Sequence, residues 1–391
     1  MAGSRLATTT FAEFIESRSP GFDVLRLLLA FAVLVSHTWP LGGFGGEPSS
    51  PLAPGYLTLG GFAVAGFFAL SGLLVGRSAL QRSPGRYARA RLVRVVPGYW
   101  VALVLSGFGF AALGFVHERG SLAGFFTLDA GGPFAYVGRA ALFPIEFFHA
   151  VADVFQTNTP YGRVTGTSFV NGSLWTLAYE MRCYLLVGLL AVVAKRYGGR
   201  TTITVAWLVT GVVGIAYWAA PDDVNFVIGT VADRTMVMFA FIFLGGALVG
   251  VWADEVRLFG PVPVAALVFA LIVGRISLTA SEHLGGAALA LVLPPIAALL
   301  APIGTQLRGI DLSYGLYLYA WPVQQVMAMY DVVPGPWRFI AIATVATLML
   351  AAASWFLVER PAMRRFGTRP RHRTTAPAGV TVGAVLTGPQ P

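Results

Sequence analysis

The sequence predicts an all-α protein: a polytopic transmembrane helical bundle of about ten membrane-spanning helices with both termini in the cytoplasm. Three observations carry this expectation. Of the 391 residues, 56% are hydrophobic and only 12% are charged, and the mean hydropathy is +0.71; a soluble domain has roughly 25% charged residues. Apolar runs close to the about 20 residues that cross a bilayer recur along the whole chain. The basic residues between those runs are shared unequally between the two sides.

The runs lie at about residues 22–41, 57–76, 95–116, 174–194, 201–220, 234–252, 259–274, 285–303, 313–331 and 338–358. The seventh is short and holds Pro261 and Pro263. With the N-terminus inside, the inner segments carry 19 Lys and Arg residues and the outer segments carry six. The positive-inside rule favours that orientation. An odd number of helices would carry the basic stretch "ERPAMRRFGTRPRHR" to the outside, so an even number is expected. Residues 1–21 read as a cytoplasmic N-terminal segment, 22–360 as the membrane domain, and 361–391 as a basic cytoplasmic tail whose end is disordered. The start, "MAGSRLATTTFAEFIESRS", has no signal-peptide apolar region, so the first run is expected to be a retained anchor.

Two segments break the rhythm. Residues 117–173 form a long extracytoplasmic stretch. Within it "FPIEFFHAVADVF" has an aromatic face suited to the membrane interface, and "QTNTPYGRVTGTSFVNGS" reads as a loop. Residues 77–94, "RSALQRSPGRYARARLVR", form a basic cytoplasmic segment. Arginine clustered beside apolar helices points to anionic lipid, not to nucleic acid. Cys183 is the only cysteine, which excludes an intrachain disulfide. No metal-ligand spacing, phosphate-cradling glycine loop or nucleophile elbow is present.

Ionisable residues at membrane depth are expensive and mark functional sites. Arg26 and His37 are eleven residues apart in the first run, which is about 20° from whole turns and about 16 Å along the axis. They share one face at two depths. The plainer reading of Arg26 is snorkelling to lipid phosphate, with Asp23 as an i,i+3 partner; that of His37 is a packed, hydrogen-bonded histidine. Glu180, in "NGSLWTLAYEMRCYLL", lies at a depth that permits a bond to His37, where a carboxylate orients an imidazole and stabilises its charged form. Its plainer role is a structural group with Arg182. Arg91, Arg94 and Pro97 are spaced by three, so the two guanidiniums stack on one helix face and can grip phosphate together. Pro97 suits a helix start or bend. Ser71 and Gly72, in "FFALSGLLVG", also fit close helix packing.

Several of these residues match one family together. The chain resembles the bacterial acyltransferase-3 family of integral membrane O-acyltransferases in "DVLRLLLAFAVLVSH", "GFFALSGLLVGR", "RYARARLVRVVPGYW", "SLWTLAYEMRCYLL", "SYGLYLYAWPV" and "SWFLVERP", in family order from residue 23 to 361. The resemblance implies an enzyme that transfers acyl groups other than amino-acyl groups in the bacterial cytoplasmic membrane. It implies acyl-CoA, acetyl-CoA above all, as the co-substrate. The acceptor would be a hydroxyl of a cell-surface glycan, a lipid-linked saccharide or a small molecule. By position, Arg26 and His37 match the family's essential pair, Glu180 its acidic residue, and Arg91 and Arg94 its basic motif; Ser71 is placed with them on the donor. One departure stands out. Many members read Y-L-x-H-x-P where this chain reads "YLYAWP", with Ala320 in place of histidine. The rival reading is a proton-coupled transporter or flippase of a lipid-linked glycan. Intramembrane Arg, His and Glu also suit that reading, although no inverted repeat supports it.

Overall fold

A computed structural model describes residues 8–55, 57–141, 150–229, 232–307, 309–331 and 335–367. Among them the regular structure is helical, with two isolated β-bridges and no strand. All ten apolar runs form helices: α1 (Gly21–Gly42), α2 (Leu59–Gln81), α3 (Pro84–Arg119), α4 (Trp175–Tyr197), α5 (Gly199–Ala219), α6 (Arg234–Val251), α7 (Pro261–Val273), α8 (Leu278–Gln306), α9 (Ser313–Met329) and α10 (Pro336–Phe366). Eight are long and apolar enough to cross a bilayer. The other two differ for separate reasons. At 13 residues α7 is too short to span on its own, as its two prolines foreshadowed. At 17 residues α9 is buried nearly all round and carries tyrosines and two glutamines because it meets protein, not lipid.

Contacts between the connections sort them onto two faces. On one face the short helix Phe11–Glu16 hydrogen-bonds residues 253–258, Arg77 pairs with Glu16 at 2.5 Å, and Arg200 pairs with Glu255 at 2.8 Å. On the other face Trp321 donates to the Phe169 carbonyl at 3.2 Å and Arg234 bonds Thr279 at 3.2 Å. The first face holds the basic connections, and the positive-inside rule assigns it to the cytoplasm.

Helix α3 does not start at Pro97. The helix starts at Pro84, behind Ser83, and continues through Pro97. Proline at the first helical position, here Pro84, needs no N–H partner. The expected interfacial helix at 143–155 falls mostly on residues 142–149, which lie outside the described residues, as do residues 368–391 of the tail. The rest of the outer stretch is packed and not loose. Phe125, Tyr136, Val151, Val154 and Phe155 form a core with Tyr99 and Phe115 of α3 and Leu318 and Tyr319 of α9.

Small residues set the closest helix approaches. A Cβ on Gly72 of α2 would come within 1.9 Å of the Phe243 carbonyl oxygen of α6. Gly246 of α6 is equally pressed on the Ala69 carbonyl of α2, at 2.2 Å. Gly72→Ala must therefore part α2 from α6, and overpacking of this kind costs about 1–3 kcal/mol. The expected result is a drop of several degrees in the unfolding midpoint of the detergent-solubilised protein; an unchanged midpoint contradicts so close a contact.

Candidate functional site

Two cavities lie one above the other in the bundle. The lower one, about 110 Å³, opens among α1, α2, α3, α4 and α9, and its walls include Arg26, Ser71, Arg91, Arg94 and Glu180. The upper one, about 660 Å³, is walled by α1, α2, α4, α6, α9 and the outer stretch, and His37 lines it. Val64, Thr176 and Tyr317 line both cavities. The hydroxyls of Thr176 and Tyr317 are hydrogen-bonded to each other at this junction. Arg26 and His37 thus line two stacked cavities from one helix face.

In the lower cavity Glu180 accepts hydrogen bonds from the Ser71 hydroxyl at 3.2 Å and from the Tyr184 hydroxyl. The expected bond between Glu180 and His37 is not formed among the described residues. A level pair would need α4 to start at the membrane surface. Its start instead lies beneath packed chain: Val170, Asn171, Ser173 and Leu174 are all essentially inaccessible. Glu180 therefore sits a level below His37 and turns toward the arginines. Arg182 stacks on Tyr179 and lines the upper cavity, away from that group.

The two arginines of the basic motif part company. Arg94 bonds Asp311 at 2.5 Å and Glu359 at 3.1 Å, tying α3 to the α8–α9 connection and to α10. Its guanidinium is held by two carboxylates, which compete with the expected joint grip on phosphate. Arg91 lies over the Tyr184 ring at 5.8 Å, and its buried Nε has no hydrogen-bond partner among the described residues. Such a buried donor is costly unless a ligand completes it. Arg26 meets Asp23 at 3.7 Å, as its plainer reading anticipated, and also lines the cavity.

His37 is half-buried, and Trp321 packs on it edge to face at 4.9 Å. Its Nδ1 is buried without a hydrogen-bond partner. Trp321 follows Ala320, which is fully buried. The acidic residue that the fold brings near His37 is Glu47, which lines the same cavity and is hydrogen-bonded to Ser36, the residue before His37. Sequence reasoning missed it. The signal was thin: Glu47 is the only acidic residue between Asp23 and Glu118. Gly43, at φ +74°, ends α1 in the left-handed conformation that glycine adopts freely. The connection then folds back, with Ser49 bridged to Thr58 and the Ser50 N–H donating to the Leu57 carbonyl at 2.7 Å. That return carries Glu47 over the upper cavity.

A family model described as an acyltransferase domain matches residues 19–358. The chain belongs to the acyltransferase-3 family. It is 27% identical over 379 residues to a protein named O-acetyl transferase from Shigella phage Sf6, covering 90% of this chain and 97% of that protein. It is also 27% identical over 381 residues to a protein named nodulation protein 10 from Rhizobium leguminosarum bv. viciae, covering 88% and 93%. No solved structure matches. The protein is thus a multi-pass membrane acyltransferase, which overrides the transporter reading.

Proposed function

We propose that this acyltransferase moves an acetyl group from acetyl-CoA, entering from the cytoplasm, to a hydroxyl acceptor held in the upper cavity. The observation that carries the reading is the pair of stacked cavities with a shared wall at Val64, Thr176 and Tyr317. At about 110 Å³ the lower cavity is too small for a nucleotide and would take only the acyl end of a pantetheine-like arm. The nucleotide end would stay at the basic mouth. There Arg91 has a donor to spare, and Arg26 adds charge; Arg94 keeps this wall in place through its carboxylates. The relative named O-acetyl transferase supports acetyl as the group transferred. The bacterial and phage sources of both relatives support a bacterial cytoplasmic membrane.

His37 takes the proton of the acceptor hydroxyl as that oxygen bonds to the acyl carbonyl carbon. The carbon–sulfur bond breaks, and the His37 imidazolium gives its proton to the departing thiolate. The Tyr317 hydroxyl, at the junction of the cavities, is a donor for the carbonyl oxygen on which charge develops. Glu180, bonded to Ser71 and Tyr184, shapes the channel below. Glu47, Asp233 and Glu282 outnumber Arg182 around the upper cavity, and Trp175, Trp321, Tyr161 and Phe169 supply flat rings. Carboxylates beside aromatic faces suit a neutral or cationic saccharide-like acceptor and disfavour an anionic one.

The test is thiol release from acetyl-CoA by the reconstituted protein, given an extract of surface glycans and metabolites from the cells that make it. Arg91→Ala is expected to raise the KM for acetyl-CoA about tenfold or more, the loss of one charge-assisted contact of about 1.5–3 kcal/mol, with kcat little changed. An unaltered KM removes Arg91 from the donor site. Absence of any CoA binding by the wild-type protein overturns the donor assignment.

A further inference from the structure

Glu47 belongs to no motif and is used by no step above, yet it is held as a functional carboxylate is held. Ser36, the neighbour of His37 in α1, is completely buried. Its hydroxyl donates to Glu47 Oε2 at 2.5 Å and accepts from the Gly60 N–H of α2 at 2.8 Å. A Cβ on Gly60 would lie 3.2 Å from Glu47 Oε2 and 3.1 Å from the Ser36 hydroxyl, so this corner is filled. One carboxylate oxygen is clamped. The other has no hydrogen-bond partner among the described residues. The clamp fixes the carboxylate at the lip of the cavity that His37 lines.

We infer that Glu47 is the positioning residue for His37: clamped by Ser36 beside α2, it faces the imidazole with a fixed negative charge and stabilises the imidazolium formed during proton transfer. The inference rests on the reading of His37 as the base. The helix partner expected from sequence, Glu180, lies in the other cavity, and Ala320 leaves no second histidine at its motif position. His37 Nδ1 lacks a partner, so a carboxylate nearby is the group that can organise the ring. Tyr161, Tyr179, Arg182, Asp233, Glu282 and Tyr317 are the other titratable groups lining the cavity. Among the acidic groups of this cavity, Glu47 is the one hydrogen-bonded to Ser36, the residue next to His37 in α1. Asp233 is committed elsewhere, capping α6 at the Met236 N–H and accepting from Tyr179.

The experiment needs no acceptor. The full-length protein in detergent is treated with diethyl pyrocarbonate over a range of pH, and the modification rate at His37 is read by peptide mass spectrometry. Only neutral imidazole reacts, so the midpoint of the rate profile reports the charged form. Removing a fixed negative charge disfavours the imidazolium. Glu47→Gln is therefore expected to move the midpoint to lower pH by about one unit, with Glu47→Asp restoring most of the wild-type value. Ser36→Ala, which frees the carboxylate without removing it, is expected to give a smaller shift in the same direction. If Glu47→Gln leaves the midpoint where it was, the inference is overturned, and Glu47 only pins the loop. Should Glu47→Gln fail to fold, Glu47→Asp and Ser36→Ala carry the same comparison, and a midpoint equal to wild type in both overturns it too. Failure of the wider reading shows elsewhere: His37→Ala would then keep its acyl-transfer rate, whatever the midpoint does.

Discussion

Replacing His37 with alanine is expected to reduce acyl transfer about 10²–10⁴-fold, the usual contribution of a placed general base. The KM for acetyl-CoA should stay near the wild-type value, because Arg91 and Arg26, proposed above to hold the donor, line the other cavity. The split between the two constants is the informative part. A loss confined to kcat places His37 at the reacting hydroxyl. A matching rise in KM would place it on the donor path. The variant should fold, since the ring makes no hydrogen bond to lose at Nδ1, and the upper cavity can take the freed volume as water. Thiol release by reconstituted protein, with folding checked by size exclusion in detergent, measures this. Full turnover in a folded His37→Ala protein removes the histidine from the chemistry.

The parts of this site that were legible in the sequence are those governed by a single helix. Arg26 and His37 share a face because an α-helix repeats every 3.6 residues, and they do line one column of space. The apolar runs revealed the bundle for the same local reason. What depended on how one element meets another was hidden. Glu180 looked level with His37 only because helix ends were taken as level, and the buried turn before α4 lowers it. Glu47 reaches His37 through a connection that doubles back, a path with no periodicity to read. Arg94 resembled Arg91 in every local respect, yet its partners Asp311 and Glu359 lie 217 and 265 residues further along. Spacing puts two arginines on a face; only the fold decides which of them has a charge to spare.

That difference makes Arg94 the residue whose loss should damage the fold most. Its side chain is 25% exposed, while those of Asp311 and Glu359 are 12% and 1% exposed, so removing the guanidinium strands two largely buried carboxylates. Breaking a buried pair from one side costs about 3–5 kcal/mol, because the orphaned charge keeps its desolvation penalty. Arg94→Ala is therefore expected to lower the unfolding midpoint in detergent by at least 10 °C or to abolish insertion, whereas Arg91→Ala, beside it on the helix, should leave the midpoint nearly unchanged. The double variant Arg94→Met with Glu359→Gln should recover part of the loss, since Glu359 then needs no cation and can still bond Ser354, which donates to it at 3.0 Å. The pH dependence follows from Asp311, in the connection before α9. Burial alone would push its carboxyl up, but Arg94, then Arg26, and two hydrogen bonds from Ser313 outweigh burial and hold it below the ordinary carboxylate range. A depressed carboxyl stabilises the fold at every pH above its unfolded value, about 3.9, and that contribution is lost only as the pH falls through the lowered one. Thermal unfolding of the wild type should thus be insensitive to Asp311 from pH 8 down to about 5. Without Arg94, burial pushes the Asp311 carboxyl of the variant up, so the variant recovers stability as that group takes its proton, before the wild type loses its own contribution in stronger acid. A stability gap between wild type and Arg94→Ala that is widest at neutral pH, begins to narrow in mild acid and closes in stronger acid marks Arg94 as the cation that holds these carboxylates; equal midpoints for Arg94→Ala and Arg91→Ala at neutral pH would return both arginines to the proposed donor site.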